Sequence, residues 1–140
     1  MVLLKRFLVN SLFIYLLGCN LPERNCSDYK NGDFEFSARI NNEVITSKFS
    51  RIDSIEIEYF ENKIDTSFVR WVSDCEFILR KKNPTSSTDK KAVNMKILST
   101  SRKGYVFEFS IVGDKKNIFR GEAVKIKPKR TDFKRKSFKN

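Results

Sequence analysis

Tyr105-Val106-Phe107-Glu108-Phe109-Ser110-Ile111 is the stretch whose reading decides the fold. Tyr105, Phe107, Phe109 and Ile111 fall on one side of an extended chain, and Val106, Glu108, Ser110 and Val112 on the other. A period of two sustained this long predicts a strand with one buried face. The same period recurs outward in both directions. Residues 113–117 read as a turn and 118–126 as the next strand. Upstream, Val93, Met95 and Ile97 line a strand. Residues 81–91 (KKNPTSSTDKK) hold no apolar side chain and read as a solvated loop. Cys75, Phe77 and Leu79 form one face of another strand. Val69 and Trp71 share a face over residues 67–72, and Asn62-Lys63 marks a break. Ile55, Ile57 and Tyr59 form the apolar face of the strand before it, opposite Glu56 and Glu58. Residues 44–51 carry Ile45 and Phe49 on one face. Phe34, Phe36, Ala38 and Ile40 alternate with Glu35, Ser37 and Arg39 in the first strand. Asn41-Asn42 after it reads as a tight hairpin turn, because Asn tolerates positive φ.

Eight short strands with short connections, and no helical period, predict an all-β domain over residues 32–126. An antiparallel meander closed into a small barrel or half-barrel removes the exposed edges; a β-sandwich is the competing packing. An eight-stranded barrel is just wide enough to be filled by side chains or to hold one small ligand. Phe34, Phe36, Tyr105, Phe107 and Phe109 are the candidate lining of such a cavity, and the same rings can instead fill a core.

The chain has 140 residues, the length of one domain, with 40% hydrophobic and 32% charged residues, a globular composition. It has no histidine, which excludes His triads, His metal ligands and an imidazole switch. Its five glycines form no phosphate-cradling loop. Asp74 and Glu76, two apart beside Trp71, are the carboxylate pair that invites glycosidase chemistry. Solvated strand charges account for them, as for Glu56 and Glu58. Arg51 and Asp53 read as a structural ion pair. No nucleophile has a visible base. The expectation is a protein that is not an enzyme and takes no cofactor or metal.

Residues 1–6 (MVLLKR) carry Lys5 and Arg6, and 7–17 (FLVNSLFIYLL) form a short apolar run. This is the pattern of a secretory signal peptide. Eleven helical residues span about 17 Å, short of a bilayer core of about 30 Å. Leu16-Leu17-Gly18-Cys19 resembles a lipobox, the processing site of bacterial lipoproteins. Only a cysteine thiol accepts the diacylglyceryl group, and the residue before it must be small for cleavage. The organisation expected is a signal peptide over 1–18, lipid attachment at Cys19, a tether over 19–31, the domain over 32–126 and a basic disordered tail over 127–140. Several acyl chains would hold the protein on the bilayer.

With Cys19 acylated, Cys26 and Cys75 remain. Outside the cytoplasm a bridge between them is expected, closing a loop of roughly 50 residues for about 4 kcal/mol; two separate thiols are the alternative. The formal net charge is +11. It concentrates at the end: Lys125, Lys127, Lys129, Arg130, Lys134, Arg135, Lys136 and Lys139 stand against Asp132 alone. Such a segment fits an anionic lipid headgroup or a surface polysaccharide, or simply keeps the chain soluble. A specific nucleic-acid reader needs a groove-entering helix or stacking aromatics with flanking cations, and the sequence has neither.

The lipobox, Asn25-Cys26, Tyr29-Lys30-Asn31-Gly32, Phe34, Arg51-Ile52-Asp53-Ser54 and Trp71-Val72-Ser73-Asp74-Cys75-Glu76-Phe77-Ile78-Leu79 together resemble a group of small secreted bacterial lipoproteins of unknown function. Members often carry a "DNA topoisomerase IV" label, which no residue here supports. The resemblance implies pairing of Cys26 with Cys75 and names no catalytic residue. The sequence thus leads to a membrane-anchored protein of the outer membrane or cell envelope, with a binding or structural role. The alternatives are a carrier of a small apolar ligand in a barrel cavity, and a nucleic-acid-associated protein acting through its tail.

Overall fold

A computed structural model of the chain describes residues 24–127. A 3-10 turn, Cys26–Tyr29, precedes eight strands: β1 Gly32–Ile40, β2 Glu43–Ile52, β3 Ile55–Phe60, β4 Lys63–Ser73, β5 Glu76–Lys81, β6 Val93–Thr100, β7 Gly104–Ile111 and β8 Phe119–Ile126. Each strand pairs antiparallel with its neighbour in sequence, and β8 returns to β1, so the meander closes into a barrel. Closure leaves no unpaired edge. Asn41 and Asn42 have φ of 49° and 67°, the left-handed geometry their pairing in a two-residue turn requires.

Inward positions follow from the register. Phe34 faces Phe49 across β1–β2, Trp71 faces Phe77 across β4–β5, and Phe107 faces Gly121 across β7–β8. Phe34, Phe77, Ile97, Tyr105 and Phe107 are buried to 2% exposure or less. Each such side chain contributes about 2–3 kcal/mol by leaving water. Gly121 admits this packing: a Cβ there would stand 2.9 Å from the Phe107 ring tip and 3.1 Å from the Phe36 ring.

Three local expectations are corrected. The segment expected as a tether includes a packed element, for Cys26 and Tyr29 are buried in the core. Asp74 and Cys75 form the β4–β5 turn and not part of a strand, so Asp74 and Glu76 do not share a strand face. The polarity of β3 is reversed: Glu56 is buried, whereas Tyr59 is exposed. Arg51 lies opposite Glu56, and Ile52 opposite Ile55. The inward Arg51 demands a carboxylate on its own side of the sheet, and the alternation of β3 then sends Ile55, Ile57 and Tyr59 outward.

Candidate functional site

The two ends of the barrel differ. One end is closed by the Cys26–Tyr29 turn. Cys26 is bonded to Cys75 in the β4–β5 turn, with Cα atoms 5.3 Å apart. Tyr29 packs edge-on against Tyr105 at 5.3 Å between ring centroids, and its hydroxyl donates to the Ser101 carbonyl. Arg24 donates to the Ile97 carbonyl at 2.9 Å. Lys125 Nζ donates to the Asp28 carbonyl at 2.9 Å.

Beneath this plug sits a buried polar centre. The Arg51 side chain is 1% exposed. Its Nε donates to Glu56 Oε2 at 2.8 Å, and its Nη2 lies 2.6 Å from the same oxygen. Nη1 donates to the Tyr29 carbonyl at 3.1 Å and Nη2 to the Tyr105 hydroxyl at 3.3 Å. The guanidinium also lies over Phe77, Phe49, Phe34 and Trp71, at 4.3 to 5.8 Å from the ring centroids. Burial works against its charge, and the Glu56 carboxylate with the Tyr105 oxygen outweighs that, so its pKa lies above the ordinary value. Burial pushes the Tyr105 hydroxyl up. This centre ties the plug by hydrogen bonds to β2, β3 and β7 and is structural chemistry, with no access for a substrate.

The other end is open. Phe36, Leu79, Met95 and Phe109 point inward from β1, β5, β6 and β7, yet remain partly exposed. Phe119 is also partly exposed and stands 5.5 Å from Phe109, and Phe36 stands 5.7 Å from Phe107. These rings form an apolar wall. The facing wall, from β2 to β5, is polar: buried Ser47 donates to Glu58 at 2.6 Å, and Lys81 bridges Asp65 (3.0 Å) and Asp89 (3.1 Å) at the rim. The interior is therefore filled at the plugged end and reached by solvent at the mouth.

The sequence-derived residues distribute as follows. Cys26 and Cys75 are joined. Of the expected cavity lining, Phe34, Tyr105 and Phe107 belong to the packed floor, and Phe36 and Phe109 to the mouth. Surface clefts of about 590 Å³ beside Asn25 and Arg102, and about 680 Å³ beside Ala92 and Gly113, involve none of these five. Lys125, counted with the tail, is a β8 residue engaged with Asp28 and Tyr29. Lys127 is exposed after β8. Cys19, Lys129, Arg130, Lys134, Arg135, Lys136 and Lys139 lie outside the described residues. Asp74 pairs with Lys30 at 3.7 Å, and Glu76 accepts from Asn94 at 3.0 Å, so neither aims at a shared reacting point. The partner of Arg51 is Glu56 and not Asp53. Among the described residues, no group of three or more His, Cys, Asp or Glu is placed to hold a metal, and no helix is long and apolar enough to cross a membrane.

Sequence reading missed the Arg51–Glu56–Tyr105 centre and the inward Glu58. The signal was present in part: Arg51 shares the parity of Phe49, and Glu56 stands symmetrically across the Asp53-Ser54 turn. No family model, curated protein or solved structure matches the chain.

Proposed function

We propose that the protein is an exported, lipid-anchored binding protein of the cell envelope, which acts without catalysis and holds a small, mostly apolar ligand in the mouth of its barrel. The carrying observation is the contrast between the two ends. Toward the plugged end Phe34, Phe77, Ile97, Tyr105 and Phe107 are buried to 2% exposure or less, with Trp71 partly buried beside them, whereas at the mouth Phe36, Leu79, Met95 and Phe109 all keep access to solvent. Exposed apolar side chains inside a concave, rigid wall are what a small-molecule site offers. The polar wall at Ser47 and Glu58 gives such a ligand one end to hydrogen-bond. Export and anchoring are supported by the apolar run over 7–17, by Leu16-Leu17-Gly18-Cys19, and by the Cys26–Cys75 bond, which suits an oxidising compartment.

The test is a titration of the purified protein with N-phenyl-1-naphthylamine, an apolar fluorescent probe. Trp71 is the only tryptophan and lies on the inner wall, so energy transfer from it reports binding inside the barrel. Saturable transfer at one probe per chain, abolished when Met95→Arg places a charge in the mouth, supports the reading. Unsaturable binding, or binding indifferent to Met95→Arg, overturns it. The intact mass of the protein from its host membrane, starting at Cys19 and carrying acyl chains, tests the anchor.

A further inference from the structure

The outer face of β2, β3 and β4 carries a continuous apolar surface, and we propose that this face is seated on an anionic lipid bilayer. The register sets Ile52 opposite Ile55, Ile55 opposite Phe68, and Tyr59 opposite Ile64, all outward. Ile64 is 68% exposed, Ile52 65%, Phe68 46% and Val72 44%. Single exposed apolar side chains are ordinary; a patch built across three strands marks an interaction surface. Its cause is the buried Arg51–Glu56 pair, which fixes the facing of β3 and leaves its aliphatic side chains no interior to enter.

The charges identify the occupant. Lys48 and Arg70 are the charged residues at outward strand positions of β2–β4. The carboxylates of β3, and Asp65 of β4, occupy inward positions of the register. Arg80 of β5 adds a cation directly opposite Phe68. Apolar side chains edged by cations fit the boundary between acyl chains and phosphate headgroups. Lys48 is paired with Glu35 of β1 at 3.9 Å, which leaves Arg70 and Arg80; a second copy of the chain would set these cations against their own counterparts, with no carboxylate at an outward strand position of β2–β4 to answer them. Residues 128–140 hold six cations and one carboxylate, so they too are repelled. The contact is lateral and does not span: Glu35, Arg39, Lys96, Glu108, Arg120 and Glu122 occupy the outer faces of β1 and β6–β8, where a barrel crossing a bilayer needs an apolar belt.

This inference rests on the reading of the protein as membrane-bound, and the experiment separates the two. The mature protein is reconstituted with vesicles of phosphatidylglycerol and phosphatidylcholine carrying brominated acyl chains, which quench nearby indoles. Phe68→Trp is compared with Glu122→Trp on the opposite side of the barrel; both variants retain Trp71 as a common background. Expected is loss of most of the added fluorescence for Phe68→Trp and none for Glu122→Trp. The loss is reversed by Ile64→Ser with Arg70→Ser, and weakened in pure phosphatidylcholine. Protein that floats with the vesicles but shows no quenching at residue 68 overturns the inference while leaving the anchor intact. If the protein proves unacylated, the same variant added to vesicles still decides: quenching supports the face, and its absence overturns it. Self-association that Phe68→Ser abolishes, without quenching, assigns the face to a second copy and likewise overturns the inference.

Discussion

Arg51 is the residue on which most of the interior depends. A buried guanidinium is tolerated only when paired, and Glu56 supplies the pair while four aromatic faces surround the cation. Burial also pushes the Glu56 carboxyl above its ordinary value, against the pull of Arg51. Glu56→Gln leaves the cation uncompensated and is expected to cost about 3–5 kcal/mol in urea unfolding. Arg51→Met combined with Glu56→Leu removes both charges and is expected to cost less than Glu56→Gln alone. A double variant less stable than the single one would show that the pair adds net stability. At the rim, Asp89 behaves oppositely. Lys81 and the Thr85 hydroxyl hold its carboxyl at about 2, below its ordinary 3.8. A depressed carboxyl favours the fold above its ordinary value, and that contribution is lost as pH falls through the folded value. The loop between β5 and β6 is therefore expected to stay closed at pH 5 and to loosen between about pH 4 and pH 2. Carboxyl chemical shifts of Asp89, and exchange of the Thr85 amide that donates to it, measure this directly.

At the scale of elements, the Cys26–Tyr29 turn is too short to hold itself in place and depends on what it is tied to. The Cys26–Cys75 bond closes a loop of 49 residues, for which restriction of the unfolded chain gives about 4 kcal/mol. Cys26→Ser with Cys75→Ser is expected to lower the guanidinium midpoint by a matching amount, and reductant to affect only the parent protein. The β7–β8 seam yields a second comparison. A Cβ on Gly104 would stand 2.1 Å from the Ala123 carbonyl oxygen, whereas the nearest atom to one on Gly121 is the Phe107 ring tip at 2.9 Å. A strand backbone yields less than a ring, so Gly104→Ala is expected to exceed Gly121→Ala in cost, the latter at about 1–3 kcal/mol. Thermal unfolding of the two variants gives the order. β7 and the Asn41-Asn42 turn were legible in sequence because their signals are local: alternation in one case, tolerance of positive φ in the other. β3 was misread because its facing is set by Arg51 on another strand, and a period of two does not say which side is in. The turn at Cys26 was hidden for a related reason. Asn25, Ser27 and Asp28 look like a linker, and only the distant Cys75 and Tyr105 give Cys26 and Tyr29 a place to bury.

At the scale of the whole molecule, the barrel's class was legible, for eight strands and short connections leave few alternatives to closure. The division into a filled end and an open mouth was not, because it depends on depth along the barrel. Phe34 and Phe36 look equivalent in sequence, yet one belongs to the floor and the other to the mouth. This division carries a prediction about stability along the barrel axis. At the plugged end, the Ile97 amide donates to the carbonyl of the disulfide-bonded Cys75 at 2.8 Å, and Ile97 lies opposite the fully buried Phe107. At the mouth, Phe60 and Lys63 meet at a turn where both are exposed. Amides exchange by local opening where packing is thin, and only by global unfolding where it is complete. The amides of Phe34, Ile97 and Phe107 are therefore expected to exchange at the global rate, and those around the Phe60–Lys63 turn far faster. Reduction of the Cys26–Cys75 bond frees the turn that carries the Cys75 carbonyl. It is expected to accelerate Ile97 more than Phe107, whose neighbours belong to the closed sheet. Hydrogen exchange followed by NMR, with and without reductant, resolves each amide. Equal protection at both ends would contradict the filled-and-open barrel, and with it the mouth as a ligand site.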